Sequence, residues 1–329
     1  MKKILQKLFE QQVLERTEAK HILGQISEGQ FNPYQIASFL TVFKMRSITV
    51  DELSGFRDCL KERCIAINFS DFNIIDLCGT GGDGKDTFNI STLASFVVAG
   101  AGYKVAKHGN YGVSSVCGSS NVLESLGYNF SNDADRLKQQ LDTANITFLH
   151  APLFHPAMKE VAPIRKNMAV STFFNMLGPM VNPSSPQNQL VGVFSLQLQR
   201  YYKYIYETQD ISFRIVHSLD GYDEISLTGK AKVISPTKEY LFDPKKELNY
   251  SVSNEDILGG NTIEEAKNIF EKIISGEGTK AQNAVVCANA ALAIQCFDTD
   301  KSFDVALAEA TESLESNKAA EALNKLISA

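Results

Sequence analysis

The chain has 329 residues, 44% hydrophobic and 21% charged, with 32 basic against 38 acidic side chains for a formal charge of −6. At about 150 residues per domain this length suggests two domains, and the balance excludes a mainly disordered chain, which needs low hydrophobicity and high net charge. The acidic surplus argues against non-specific nucleic-acid binding, which rests on phosphate neutralisation by Lys and Arg, but leaves room for a local pocket for a small phosphorylated ligand.

Residues 1–66 read as helices only. Thr17 precedes Glu18 and a mixed apolar stripe through Ile22, Leu23 and Ile26 that ends near Gly29. Asn32-Pro33 places a cap before a proline at the first helical position, and Thr49-Val50-Asp51-Glu52 fits a capping box. The basic start lacks an uninterrupted apolar run, and six cysteines without CxxC spacing argue for reduced thiols rather than a disulfide framework or zinc site. The longest apolar stretches, Leu93–Gly102 and Ala284–Ala293, fall short of a membrane span. A cytoplasmic protein is expected.

From residue 71 the pattern changes. Short strands are expected at Asn73–Leu77, Tyr103–Lys107, Ile146–His150, Leu190–Phe194, Phe213–His217, Ala231–Ser235 and Tyr240–Phe242, with helices from about Ser91 to Gly100 and near Asn121–Leu126. Strands alternating with helices imply βαβ units and a largely parallel sheet, and the chain returns to helix from Ile263 to Ala329. The expected organisation is an α/β protein with a helical domain over 1–66 and an α/β domain over 67–329. The section from about 155 to 183, punctuated by Pro156, Pro163, Pro179 and Pro183, reads as helix and turn and is assignable by periodicity to either domain.

Gly79-Thr80-Gly81-Gly82-Asp83-Gly84 formally satisfies GxGxxG after a strand, yet the acidic residue that a dinucleotide fold needs about 20 positions on is missing around Ala99–Val105. The same run through Lys85 matches a P-loop until its last position, where Asp86 replaces the magnesium-binding hydroxyl. Four glycines in six residues at a strand end point to close backbone approach, so a phosphate loop of another class is favoured over a plain turn. Asn89-Ile90-Ser91-Thr92 opens the next helix; the hydroxyls could merely cap it, and the same geometry makes an anion site. Lys107-His108-Gly109-Asn110 and then Ser114-Ser115-Val116-Cys117-Gly118-Ser119-Ser120 repeat the arrangement, suggesting a ligand with phosphates at both ends. Asp223-Glu224, flanked by Gly221, reads either as a solvated loop or as hard oxygen ligands for magnesium, which prefers one or two carboxylates plus phosphate and water.

Together GTGGD (79–83), NIST (89–92), KHGN (107–110), SS..GSS (114–120), HPAMKEVAPIRK (155–166), FNMLGP..NP (174–183) and DE (223–224) resemble anthranilate phosphoribosyltransferases, collinearly over nearly the whole chain. The resemblance implies transfer of the phosphoribosyl group of 5-phosphoribosyl 1-diphosphate to the amine of anthranilate, in tryptophan biosynthesis. It implies a small helical domain joined to a larger α/β domain, and a homodimer paired through the helical domains, with no nucleic-acid or membrane partner. By the same resemblance Gly79, Gly82, Asp83, Thr87, Asn89, Ser91, Thr92, Lys107 and Ser119 would hold the donor. Gly79, His108, Asn110, His155, Arg165 and Gly178 would line the anthranilate channel. Ser91, Asp223 and Glu224 would hold Mg2+. No catalytic nucleophile is implied.

The sequence departs from the family's commonest pattern at Tyr111, Val116, Asn121 and Ser171, where Arg, Lys, Asp and Arg are frequent. These positions bear on how the loop at 111–117 closes rather than on the reaction class. Two other classes fit less well. Pyrimidine nucleoside phosphorylases share the fold but usually carry an extra C-terminal domain. A nucleic-acid-binding relative that has lost the anthranilate contacts would be expected to carry a basic surface.

Overall fold

The computed structural model describes residues 1–112 and 116–329. In chain order the helices α1 (Lys2–Phe9), α2 (Arg16–Ser27), α3 (Pro33–Met45) and α4 (Val50–Glu62) precede β1 (Ile74–Gly79), α5 (Ile90–Gly100), β2 (Lys104–Gly109), α6 (Ser119–Ser125), α7 (Ala134–Ala144) and β3 (Ile146–His150). There follow α8 (Ala151–Phe154), α9 (Ala162–Met168), β4 (Asn188–Gly192), α10 (Leu196–Tyr206), β5 (Ser212–Ser218), β6 (Ala231–Ile234) and β7 (Glu239–Phe242). The chain closes with α11 (Pro244–Glu247), α12 (Ile263–Ile274), α13 (Lys280–Phe297), α14 (Phe303–Glu315) and α15 (Lys318–Ser328). The chain divides into two compact units, one of Met1–Ile67 with Ala151–Pro183, the other of Asn68–His150 with Ser184–Ala329.

The first unit is all helix and turn. Asn32 and Thr49 cap α3 and α4 through capping boxes, as their sequence predicts. The helix expected around Thr17 starts at Arg16, where Glu15 and Glu18 form a capping box and Lys7 holds Glu18 at 2.7 Å. Its core is aromatic. Phe56 of α4 stacks on Phe173 at 4.3 Å between centroids, while Phe39 and Phe43 of α3 meet both rings edge-on. Phe173 comes from a 3-10 turn, Phe173–Met176, in the segment returned to this unit.

The second unit holds a seven-stranded sheet in the order β3-β2-β1-β4-β5-β6-β7. The first five run parallel, and β6 and β7 add an antiparallel edge. The strands β1, β3, β4 and β5 are buried almost throughout, as befits strands covered on both faces. α13 is buried nearly all round, and its alanines admit α5 and α14 at close range. All seven expected strands are present, but β1 and β2 each run two residues further than expected. Gly79 and the pair His108-Gly109 are therefore strand residues rather than loop residues. The helices α7 and α10, not delimited by sequence, complete the alternation. Among the described residues no helix is long and apolar enough to cross a membrane, and all six cysteines are free thiols.

Candidate active site

The strand order reverses between β1 and β4, the position at which open α/β sheets form a crevice beyond their carboxyl ends. Gly79 and Gly192 end these two strands side by side. A Cβ on Gly79 would collide with the Asp223 carboxylate, and one on Gly192 with the Asp223 carbonyl oxygen. Bare backbone at both strand ends is what lets the acidic loop after β5 settle here. The glycine loop continues with Gly82 at φ +79 and open space beside its Cα, so strain rather than crowding excludes a side chain there.

Asp223 and Glu224 are not the solvated pair that adjacent acids usually form: their residues are only 7% and 9% exposed. The Gly81 N–H donates to Asp223 Oδ2 at 2.7 Å, and the Asp223 N–H faces Asp83 Oδ2 at 3.4 Å. Burial, then the charge of Asp83, pushes the Asp223 carboxyl up to about 7. Burial and Asp223 together push Glu224 well above the carboxylate range, opposed by Lys107 and a hydrogen bond with Ser91. Lys107 is buried, donating to the Leu77 carbonyl and to Ser91 Oγ at 3.3 Å. Three acids crowded around a hydroxyl and one buried ammonium form a site short of positive charge. Among the described residues no group of three or more His, Cys, Asp or Glu is arranged as a metal centre. Magnesium needs none, since it takes one or two carboxylates and completes its shell with phosphate and water. The donor set fits it.

The second loop leaves β2, which pairs with β1. Ser114 and Ser115 lie outside the described residues. Asn89, at the cap position of α5, makes no side-chain cap; its amide donates to the Cys117 carbonyl at 2.9 Å and so ties the first motif to the second. Thr92 is buried, while Thr87, Ser91 and Ser119 are half-buried and Asn110 is exposed. Asn121, at one of the divergent positions, accepts from the N–H groups of Gly112 (2.9 Å) and Gly118 (3.0 Å), closing the loop base without a charge. Tyr111, at another, sets its ring edge-on to His150 at 5.0 Å and its hydroxyl 3.3 Å from Glu124. Val116 is exposed and makes no such contact among the described residues.

His155, Arg165 and Gly178 belong to the helical unit. His155 is buried, and burial pushes its imidazole down to about 4, so it is neutral at pH 7. Arg165 is half-buried, lies over the Phe174 ring at 5.2 Å and donates to Asn175 Oδ1 at 3.2 Å. It has no carboxylate partner among the described residues. Gly178 is exposed, with open space beside its Cα. Ser171, where an arginine is frequent, receives the Lys44 ammonium at 3.1 Å. Sequence reading overlooked four residues at this site: Asp76, Gly192, Ser218 and Asn289. Asp76 and Asn289 leave a legible trace, an acid and an amide inside otherwise apolar runs. Asp76 accepts from the His108 N–H at 3.1 Å.

The glycine loop over a buried acid pair, on a sheet joined in sequence to a helical module, occurs here in a chain that matches the glycosyl transferase family. The helical-bundle domain model of the glycosyl transferase family matches residues 2–64 and its a/b domain model residues 71–320. The chain is 62% identical to the anthranilate phosphoribosyltransferase of Flavobacterium johnsoniae over 99% of its length and 98% of the relative's, and 53% identical to that of Bacteroides fragilis over 99% of both. The anthranilate phosphoribosyltransferase structure from Thermus thermophilus superposes with a TM-score of 0.88 at 29% identity, covering 98% of each chain. The Saccharomyces cerevisiae enzyme in complex with PRPP and Mg superposes at 0.89 with 24% identity, covering 98% of this chain and 96% of that one. The chain belongs to the anthranilate phosphoribosyltransferase family.

Proposed function

We propose that the protein transfers the phosphoribosyl group of 5-phosphoribosyl 1-diphosphate to the amine of anthranilate, releasing diphosphate in a step of tryptophan biosynthesis. The observation that carries this reading is the buried Asp223–Glu224 pair meeting the glycine loop at the β1/β4 strand ends. Gly79, Gly82 and Asp83 take the diphosphate and ribose, and Thr87, Asn89, Ser91, Thr92, Lys107 and Ser119 the phosphate region. Backbone N–H groups at the start of α5, uncapped by any described side chain, favour an anion. Ser91, Asp223 and Glu224 hold Mg2+, which when bound supplies positive charge to the phosphates.

The anthranilate nitrogen forms its bond to C1 as the C1–O bond to diphosphate breaks, and the nitrogen then gives up a proton. Negative charge grows on the leaving group and positive charge on the ribose, so fixed dipoles and positioning can carry catalysis without a nucleophile. His108 and Asn110 of the α/β unit, and His155, Arg165 and Gly178 of the helical unit, are the residues assigned to anthranilate. Arg165, half-buried and without a carboxylate partner among the described residues, suits the substrate's carboxylate. The helical unit pairs two protomers: α1 and α3 border an apolar groove of about 540 Å3 with Tyr34 84% and Met45 82% exposed. The protein works in the cytoplasm.

Anthranilate fluorescence tests the reading. Its loss should require the protein, 5-phosphoribosyl 1-diphosphate and magnesium together. Phosphorolysis of a pyrimidine nucleoside, or no loss with all three present, would refute it.

A further inference from the structure

The acid pair is crowded by like charge, so something must hold its loop in place. Two side chains do so by gripping backbone. Ser218 Oγ donates to the Glu224 carbonyl at 2.6 Å, from the end of β5. Asn289, wholly buried in the middle of α13, accepts from the Ile225 N–H at 3.0 Å and donates to the Ile225 carbonyl at 2.9 Å. Its remaining donor hydrogen goes to the Val285 carbonyl at 2.9 Å. One amide thus satisfies both polar groups of the residue that follows Glu224. An amide amid alanines is costly to bury unless every polar atom is paired, and here the pairing is spent on one loop.

We propose that Asn289 is a positioning residue that fixes the Asp223–Glu224 loop for the metal-bound donor. The inference rests on the assignment of that pair to Mg2+. The outer partners that orient metal ligands typically cost about 10–100-fold in metal affinity when removed. Truncation at Asn289 leaves the Ile225 N–H and carbonyl without this partner and so removes the restraint on the loop.

The test titrates Mn2+ into the full-length protein by electron paramagnetic resonance, in the presence of 5-phosphoribosyl 1-diphosphate. Asn289→Ala is expected to weaken Mn2+ binding about tenfold or more while the Michaelis constant for anthranilate moves less than about twofold. Leu292→Ala, a cavity-forming change in the same buried helix, controls for stability and should leave Mn2+ binding unchanged. Unaltered Mn2+ binding in Asn289→Ala, or an equal loss in Leu292→Ala, overturns the proposal. Failure of the parent protein to bind Mn2+ with the donor overturns the metal assignment itself, and this inference with it.

Discussion

The two sets of proposed substrate contacts are built from different materials. Those for the donor stand on regular elements: strand ends, a helix start and a loop gripped by Ser218 and Asn289. Much of their chemistry is backbone, so the sequence must spend glycines and hydroxyls at fixed offsets. Those for anthranilate on the helical unit stand on the short α9 and on 3-10 turns, through side chains whose neighbours in sequence follow no period. A site made of backbone leaves a motif that chemistry can decode, whereas a site made of single side chains on irregular turns leaves one that only resemblance reveals.

The largest break in this comparison comes from neutralising the acid pair. Asp223→Asn with Glu224→Gln should cut magnesium-dependent turnover by at least about 100-fold, the scale of removing one preorganised electrostatic group. The metal-free melting midpoint should hold or rise, because buried like charges are relieved. Near-normal turnover at limiting magnesium would show that the pair is structural only.

Arg165→Ala attacks the other half. Loss of a charge-assisted hydrogen bond is worth about 1.5–3 kcal/mol, so the Michaelis constant for anthranilate should rise roughly ten- to a hundred-fold while that for the donor stays put. An equal rise for the donor would move Arg165 out of the anthranilate set.

Gly82→Ala measures the backbone character of the donor site directly. The left-handed φ costs a side chain about 1–2 kcal/mol, and with open space around it the protein should fold normally. The donor's Michaelis constant should rise by roughly the same free energy, and steady-state kinetics beside a melting curve would check both. A variant that uses the donor as well as the parent would reduce the loop to a turn.

The smallest effect is silent at neutral pH. An unfolded imidazole takes up a proton near 6.5, whereas buried His155 resists down to about 4. Between those values the unfolded chain binds more protons, so the stability present above pH 6.5 is lost as pH falls toward 4. Replacing His155 with non-titrating Gln should flatten that acid limb in urea melts taken across the window, and parallel curves would refute the burial argument.

The strands were legible because runs such as Asn73–Leu77 and Ile146–His150 are short, apolar and bounded by turn residues. Their carboxyl ends were not, since Gly79 and His108-Gly109 read as loop although the ladder continues through them. Burial of Asp223 was invisible for a different reason: it is admitted by Gly79 and Gly192, whose meeting depends on strands distant in sequence. Asn289 stood out as a lone amide in an alanine-rich helix, but its partner Ile225 could only be found in three dimensions. Tyr111 and Asn121 depart from the frequent Arg and Asp, yet Asn121 still closes the loop base with two backbone N–H groups.

The helical unit is sewn from two stretches of chain, with Phe173 arriving from the later one to stack on Phe56. During synthesis at about 5–20 residues per second, the rings of Phe39, Phe43 and Phe56 therefore wait on the order of ten seconds for their last partner. Over that interval the emerging chain displays an incomplete aromatic surface, the kind of nascent segment that chaperones sequester. The order of the segments along the chain thus leaves this aromatic cluster incomplete until the later stretch has been made.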